Sequence, residues 1–386
     1  MATLSLLQFI LVFGVVIFLL LNYLHLVKVE PFPGDLPEYP FVSVCVPARN
    51  EERGIEECLV SLLEQDYPNF EVIVVDDNST DATPQIIQTL SEKNKKLIAV
   101  KGEPLPPDWL GKPFALFQAR KKARGEYIIF ADADPIFSPV TLKTAVHTIQ
   151  EQNLDVLSMF PKAIYESFWE RAVQPIFFGF IASLTRFRKV NSREYPDAMG
   201  VGAFLMINSR LYDRMGGHER LKQSVLDDIE LAKLAKDHGA RLLVADAKKL
   251  FSIRMYHSLD EICQGWKKNL FIAMRKSILR TLYYIFIIIG FILTPYLVVL
   301  INWALDSGMF AQALAVSGLF AAWTVCAIMC LELRVPVINI FVLPAGAVIF
   351  SAIMINSMVQ ILFRGQTEWR GRKYSNLKSK SAEGRP

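Results

Sequence analysis

The middle of this chain predicts an α/β fold with a mostly parallel sheet, and three observations carry the prediction. From Phe41 onward, short apolar runs alternate with stretches of helical period. Clusters of polar and acidic residues follow three of those runs. The apolar excess of the 386-residue chain (52% apolar, mean hydropathy +0.29) lies at its two ends, so the middle keeps the composition of an ordinary folded domain.

Taken in order, residues 4–27 form a nearly unbroken apolar run, long enough to span a bilayer. Its apolar core is too long for a cleaved leader, no Lys or Arg precedes it, and Leu24-His25-Leu26 is a poor cleavage site, so residues 1–27 read as a retained anchor. Residues 28–40 are a Pro-rich linker, and residues 41–257 the α/β domain. Strands are expected at 41–46, 70–75, 97–100 and 127–130, with helices at 54–65, 84–93 and 113–124 between them. Further strands are expected at 154–160, 200–207 and 241–245, and a helix from Leu226. Residues 165–187, rich in Phe, Trp and Ile, fit a membrane-surface helix and a core helix equally. Residues 258–280 read as an amphipathic interfacial segment. A C-terminal membrane block of two to three helices follows over 281–363, from apolar runs at 282–305, 311–331 and 335–363.

The tail 364–386 carries Arg364, Arg370, Arg372, Lys373, Lys378, Lys380 and Arg385, a cytoplasmic, lipid-facing pattern. Three full C-terminal spans would place it on the wrong side, so one segment is expected to be re-entrant or interfacial, with Pro344-Ala345-Gly346 as the break. The net charge of +4 is modest and gives no sign of a nucleic-acid partner. The cysteines (Cys45, Cys58, Cys263, Cys326 and Cys330) are odd in number and lack metal spacing. Reduced thiols in a cytosolic domain are expected.

The chemistry centres on Asp132-Ala133-Asp134, which follows the apolar run 127–130. Ligands bind at the carboxyl ends of parallel strands. Two carboxylates there suit a hard divalent cation that in turn holds phosphates, although a lone Asp-x-Asp is more often a solvated turn. Arg49-Asn50-Glu51 and Asp76-Asp77 follow two other strands, and right-handed crossovers put all three clusters on one edge. There is neither a Gly-x-Gly-x-x-Gly nor a Walker loop after the first strand.

Val44-Cys45-Val46-Pro47-Ala48-Arg49-Asn50-Glu51, Val74-Val75-Asp76-Asp77-Asn78-Ser79-Thr80-Asp81, Trp109-Leu110-Gly111-Lys112, Asp132-Ala133-Asp134 and Asp227-Asp228 together resemble family 2 glycosyltransferases of the GT-A fold. The match runs over residues 41–271, and the order and spacing of five motifs make it specific. The plan of one N-terminal anchor and several C-terminal segments resembles the lipid- and polyprenoid-modifying branch, such as ceramide, hopanoid-associated and carotenoid glycosyltransferases.

The resemblance implies that Pro47, Arg49 and Glu51 line a nucleotide pocket, that Asp77 bonds the base, and that Lys112 faces the diphosphate. It implies that Asp134, with Asp132 nearby, binds Mg²⁺ or Mn²⁺ and the sugar or ribose, and that Asp228 of the Asp227-Asp228 pair is the catalytic base. A Gln-x-x-Arg-Trp of many relatives is replaced here by Gln264-Gly265-Trp266-Lys267-Lys268, which leaves substrate roles for Gln264, Trp266 and Lys267 open against a basic helix on headgroups. Transfer needs charge neutralised on the leaving diphosphate and a base for the acceptor hydroxyl. One base, with no carboxylate nucleophile, gives direct displacement with inversion.

The expected activity is a hexosyltransferase that moves one sugar from a nucleotide sugar, UDP-linked by preference, to a lipid or polyprenoid in a bacterial-type plasma membrane, with the catalytic domain cytoplasmic. The alternatives are a processive polysaccharide synthase, which would want Gln-x-x-Arg-Trp and more spans, an inactive GT-A membrane scaffold, and a metal-dependent nucleotidyltransferase. Each site residue also has a plainer reading. Arg49 and Glu51 fit a surface ion pair, residues 76–81 a helix cap, Lys112 a solvated side chain, and Asp227-Asp228 acids favoured at a helix start.

Overall fold

The computed structural model of the chain describes residues 1–364, 366–369 and 372–375. Arg370, Lys378, Lys380 and Arg385 of the basic tail lie outside the described residues. The chain divides into two units. One holds Met1–Leu24, Tyr165–Thr185 and the chain from Tyr256 onward; the other holds His25–Ile164 and Arg186–Met255.

The second unit is the α/β body. Its strands are β1 (Val27–Lys28), β2 (Val42–Ala48), β3 (Phe70–Asp76), β4 (Leu97–Lys101), β5 (Tyr127–Phe130), β6 (Ile136–Phe137), β7 (Val156–Phe160), β8 (Lys162–Ala163), β9 (Leu205–Asn208), β10 (Leu242–Asp246) and β11 (Phe251–Ile253). An eight-stranded sheet runs in the order β1-β10-β7-β9-β5-β2-β3-β4. Every pairing in it is parallel except those of β9, which is antiparallel to both β5 and β7. Helices Ile55–Leu63, Thr83–Lys93 and Gly111–Lys122 make the crossovers between the first strands. Successive side chains on a strand point to opposite faces, so Val42, Val44 and Val46 enter one apolar layer while Cys45 joins Ile73 and Val75 in the other. Burial on both faces is why these strands read as continuous apolar runs.

Ala48 pairs with Asp76 and Cys45 with Phe130, so the polar segments after β2, β3 and β5 emerge on the same edge. A second sheet of β6, β11 and β8 follows the Asp-x-Asp turn directly. Phe137 of β6 stacks on Phe251 of β11 with centroids 5.3 Å apart, which pins the chain just beyond Asp134.

The strand expected over 200–207 is confined to Leu205–Asn208. Residue 200 is pressed onto the backbone of the helix Asp227–Asp237: a Cβ on Gly200 would lie 2.1 Å from the Asp228 carbonyl oxygen. That close approach, not pairing, is the use of the preceding residues.

The first unit collects the apolar helices. Ala2–Tyr23, Met309–Glu332 and Leu343–Phe363 are each long and apolar enough to cross a membrane. The last apolar run is interrupted at Pro344, as the sequence expects: the short helix Val337–Phe341 gives way to the helix Leu343–Val359, whose first turn holds Pro344, where its missing N–H is no loss. A second break falls earlier. Helices Ile278–Ile292 and Thr294–Ala304 meet at 53°, with Pro295 opening the second. Proline cannot continue the hydrogen-bond ladder of the helix before it.

The helix Phe168–Leu184 also belongs to this unit. Ser167 and Glu170 form a capping box at its start, and Ala172, Val173, Ile176 and Phe180 are buried while Phe168 and Trp169 are exposed.

Candidate functional site

The site lies at the carboxyl edge of β2, β3 and β5. Two loops there are laced together by their own polar atoms. The Arg49 guanidinium donates to the carbonyls of Asp77 (2.5 Å) and Asn78 (3.0 Å), and the Asp77 N–H donates to Ala48 (2.7 Å). The Glu51 N–H donates to Thr83 Oγ1 at 2.8 Å, and the Thr80 N–H to Asn50 Oδ1 at 2.8 Å. Asn50 and Asn78 hold the tips at φ of +53° and +54°, a conformation asparagine tolerates better than most residues. Asp77 is buried at 4% exposure, and Pro47 is the sixth residue of β2.

Lys112 enters from the start of the helix Gly111–Lys122. Trp109 fixes that start. It is buried against Phe114 and Phe117, with Lys222 over its ring, and the Leu110 N–H donates to the Lys222 carbonyl at 2.7 Å. A cation in the first turn opposes the helix dipole, so its reason lies in what it faces. Its Nζ lies 2.7 Å from Asp132 Oδ1 and 3.7 Å from Asp227 Oδ1. The Asp132 N–H donates to the Gly202 carbonyl at 3.1 Å, which ties the Asp-x-Asp turn to the segment before β9.

Asp227 and Asp228 open the helix Asp227–Asp237. Asp228 Oδ1 accepts the Ile229 N–H at 2.8 Å. Gly202 is the floor between these groups: a Cβ on it would lie 3.0 Å from Asp132 Oδ2, 3.0 Å from Lys112 Nζ and 3.3 Å from Asp228 Oδ2. Lys112, Gly202, Asp227, Asp228 and His218 line one pocket, whose inner wall is Leu116, Phe130 and Leu231.

The two adjacent acids are driven apart. Burial pushes Asp227 upward, but the charge of Lys112 and the His218 imidazole outweigh it and hold Asp227 below the usual carboxylate range. Burial, and then the charge of Asp227, push Asp228 up to about 6, against the pull of Lys112 and the Ile229 N–H. For Lys112, burial favours the neutral form, but Asp132, Asp227 and Asp228 reverse this and hold it protonated.

Among the described residues no three His, Cys, Asp or Glu side chains converge as a protein-only metal centre. The donor set still fits a hard divalent cation. Asp132 and Asp134 offer oxygens on either side of Ala133, and Mg²⁺ is commonly held by one or two carboxylates and completed by substrate phosphates and water.

The structure thus brings Lys112, Asp132, Asp227 and Asp228 together, and separately joins the loop of Arg49 and Glu51 to that of Asp77. Gln264, Trp266 and Lys267 fall in the other unit. There Gln264 donates to Asp260 one turn back at 2.6 Å, and the Trp266 ring is buried and stacked on Phe177 at 3.4 Å. The sequence reads Gly216-Gly217-His218 as a flexible turn whose histidine is either a substrate contact or a plain turn residue, and the structure puts His218 in the pocket beside Asp227. It is 1% exposed, with Nε2 3.7 Å from Asp227 Oδ2. The only signal was Gly216-Gly217 before it.

Residues 43–216 match the family model "Glycosyl transferase family 2". A poly(ribitol-phosphate) beta-N-acetylglucosaminyltransferase, TarS, of Staphylococcus aureus (strain Mu50 / ATCC 700699) is 42% identical over 125 residues, 32% of this chain and 21% of the relative. A 4,4'-diaponeurosporenoate glycosyltransferase of Staphylococcus aureus (strain USA300) is 25% identical over 242 residues, 59% of this chain and 60% of the relative. The chain therefore spans only part of the length of these curated relatives. Among solved structures, a mannosyltransferase from Pyrobaculum calidifontis, in complex with GDP-Man and Mn²⁺, superimposes with a TM-score of 0.55 at 20% identity, covering 94% of this chain and 99% of that one. That likeness is one of fold: a GT-A-like α/β body with a mostly parallel sheet. With the ordered motifs on one sheet edge and the match over 43–216, that part of the α/β unit is similar to glycosyl transferase family 2.

Proposed function

We propose that the chain is a membrane-bound, metal-dependent, inverting hexosyltransferase that moves one sugar from a nucleotide sugar, UDP-linked by preference, to a hydroxyl oxygen of a lipid or polyprenoid. The observation that carries this is the convergence of Lys112, Asp132, Asp227 and Asp228 at the carboxyl edge of the sheet.

Asp228 has the character of a general base. Its carboxylate is destabilised enough to take a proton near neutral pH, and it is beside a cation that keeps its neighbour ionised. As the acceptor oxygen attacks the anomeric carbon, its proton passes to Asp228. The bond to the nucleoside diphosphate breaks on the opposite face, so the anomeric centre inverts. Lys112 is placed to meet the charge left on that diphosphate. Asp134, with Asp132 beside it, would hold a divalent cation, and that ion would supply further positive charge toward the leaving group. Arg49, Glu51 and the buried Asp77 form the wall suited to the base and ribose.

Candidate spans in the other unit, and similarity to a relative named for diaponeurosporenoate, support a lipid acceptor. The free cysteines, with Cys45 and Cys58 buried in the α/β unit, support a reducing, cytoplasmic setting for it.

The test uses the full chain in nanodiscs with UDP-glucose, UDP-GlcNAc and GDP-mannose, with and without total membrane lipid. Lipid-stimulated release of the nucleoside diphosphate is expected for at least one donor. It should be lost in Asp134→Ala and Asp228→Asn, and lost in wild type when EDTA removes the divalent ion. Release indifferent to both substitutions would overturn the catalytic assignment, and release equal in EDTA would overturn the metal.

A further inference from the structure

His218 is built into the site more firmly than a turn residue needs to be. Its ring is edge-on to Phe130 with centroids 4.7 Å apart, on the last residue of β5, just before the Asp-x-Asp turn. Gly216 and Gly217 take φ of +80° and +43°, and a Cβ on Gly217 would lie 2.1 Å from the Tyr212 ring. The two glycines therefore let the turn close over Tyr212 and bring His218 down onto it.

The hydrogen bonds fix the imidazole's tautomer. The Tyr212 oxygen accepts the His218 backbone N–H at 2.8 Å and lies 2.7 Å from His218 Nδ1. A hydroxyl has a single hydrogen to give, and Tyr212 is 3% exposed, so leaving that hydrogen unused would be costly. Nδ1 is the acceptor that faces it. The ring hydrogen is then on Nε2. That nitrogen is fully buried, has no hydrogen-bond partner within normal reach among the described residues, and faces Asp227 Oδ2 at 3.7 Å. Asp227 thus stands between two positive ends, Lys112 on one oxygen and Nε2–H on the other.

We propose that His218, oriented by Tyr212, is a positioning residue: its Nε2–H holds the Asp227 carboxylate in place opposite Lys112, so that the acceptor's proton goes to Asp228. The inference rests on Asp228 being the base, and it adds two residues that do not touch the reacting atoms. A carboxylate held from both sides cannot swing toward Asp228 or share its incoming proton, and a small misplacement at such a site is expensive in rate. The Tyr212 hydrogen bond fixes the His218 tautomer, and the Nε2–H, 3.7 Å from Asp227 Oδ2, acts on that carboxylate through its charge rather than through a hydrogen bond.

The experiment uses the full chain in nanodiscs, labelled with ¹⁵N-histidine. The chain has five histidines, and the His218 signal is the one missing from His218→Gln. The expected wild-type spectrum shows His218 with its hydrogen on Nε2, and Tyr212→Phe adds the Nδ1–H form. In turnover of the best donor of the panel above, His218→Phe is expected to lower kcat by about tenfold to a hundredfold, with KM for the nucleotide sugar within about twofold. His218→Gln, whose amide Nε2 can reach the same place, should recover most of the loss.

An Nδ1–H tautomer in wild type would overturn the inference. So would a silent His218→Phe, or a folded His218→Gln no better than the Phe variant. If His218→Phe does not fold, the tautomer and the Gln and Tyr212→Phe variants decide. Asp228→Asn separates the two claims. Turnover surviving in that variant means that the base assignment has failed, whereas a dead Asp228→Asn beside a silent His218→Phe means that only the role of His218 has.

Discussion

At the residue scale the deciding feature is the unequal treatment of two neighbouring acids. Asp228 sits at about 6 because burial and the Asp227 charge oppose its ionisation more than Lys112 and one N–H favour it. A general base works only when ionised. The pH profile of kcat/KM for the donor should therefore fall on the acid side with a limb near pH 6, and stay level above it until another group titrates. A limb more than about one unit lower would mean that the base is an ordinary exposed carboxylate. The same balance gives Lys112→Met a sign. Lys112 lowers Asp228, so removing the ammonium raises Asp228 further and moves the limb to higher pH, with KM for the nucleotide sugar rising as the diphosphate loses its cation. A mutant limb that stays put while KM rises would leave Lys112 a diphosphate contact alone. The acids and the lysine were legible in the sequence because each stands in a motif of fixed order. The position of His218 was not, because it comes from Tyr212 six residues back and from a helix start nine residues on, which only the folded turn brings together.

At the scale of elements, the sheet edge does the gathering. Short strands with both faces buried were readable as apolar runs, and the polar loops after β2, β3 and β5 follow from parallel pairing. The antiparallel strand β9 was not readable as such, since Leu205, Met206 and Ile207 are as apolar as any parallel strand and direction leaves no mark on composition. Nor did the sequence show why the approach to β9 carries two glycines. Gly200 is pressed on the Asp228 backbone, and Gly202 leaves room beside Lys112, Asp132 and Asp228. For Gly202, the neighbours a methyl would meet are the ends of side chains rather than backbone, so the fold should absorb Gly202→Ala while the site does not. The expected result is an unchanged melting midpoint with kcat lowered by about tenfold. An Ala variant with full turnover would show that the glycine is not spaced for the site. Gly200→Ala is the contrasting case. Its Cβ would strike a carbonyl at 2.1 Å, so the helix carrying both acids must shift and stability should fall with activity.

At the scale of the whole molecule, the chain's ends form one unit although more than 250 residues separate the N-terminal helix from the last ones. The apolar runs were plain in the sequence, and their number of candidate spans followed from length. The last run is interrupted at Pro344, where Val337–Phe341 gives way to Leu343–Val359, but the bend at Pro295 was not marked, because a proline in a first turn and one that ends a preceding helix look alike in composition. Buried polar side chains are among what joins the ends. Asn302 donates to Ser5 Oγ at 3.0 Å, and Gln8, 5% exposed, lies over Gly318 of the helix Met309–Glu332. In a bilayer, where water does not drive helices together, close packing on small residues and hydrogen bonds would have to do so. A Cβ on Gly318 would lie 2.6 Å from Gln8 Oε1 and 2.7 Å from Nε2, whereas one on Gly14 of the N-terminal helix would meet nothing within 4 Å. Gly318→Leu should therefore cost about 1–3 kcal/mol of stability in detergent by overpacking. Gly14→Leu, on the same helix pair but facing outward, should stay within about 0.5 kcal/mol of wild type. Thermal unfolding of the two variants beside wild type checks this directly. Equal midpoints for both would mean that the N-terminal helix is not seated on Gly318, and a fall for Gly14→Leu alone would mean that its packed face is the opposite one.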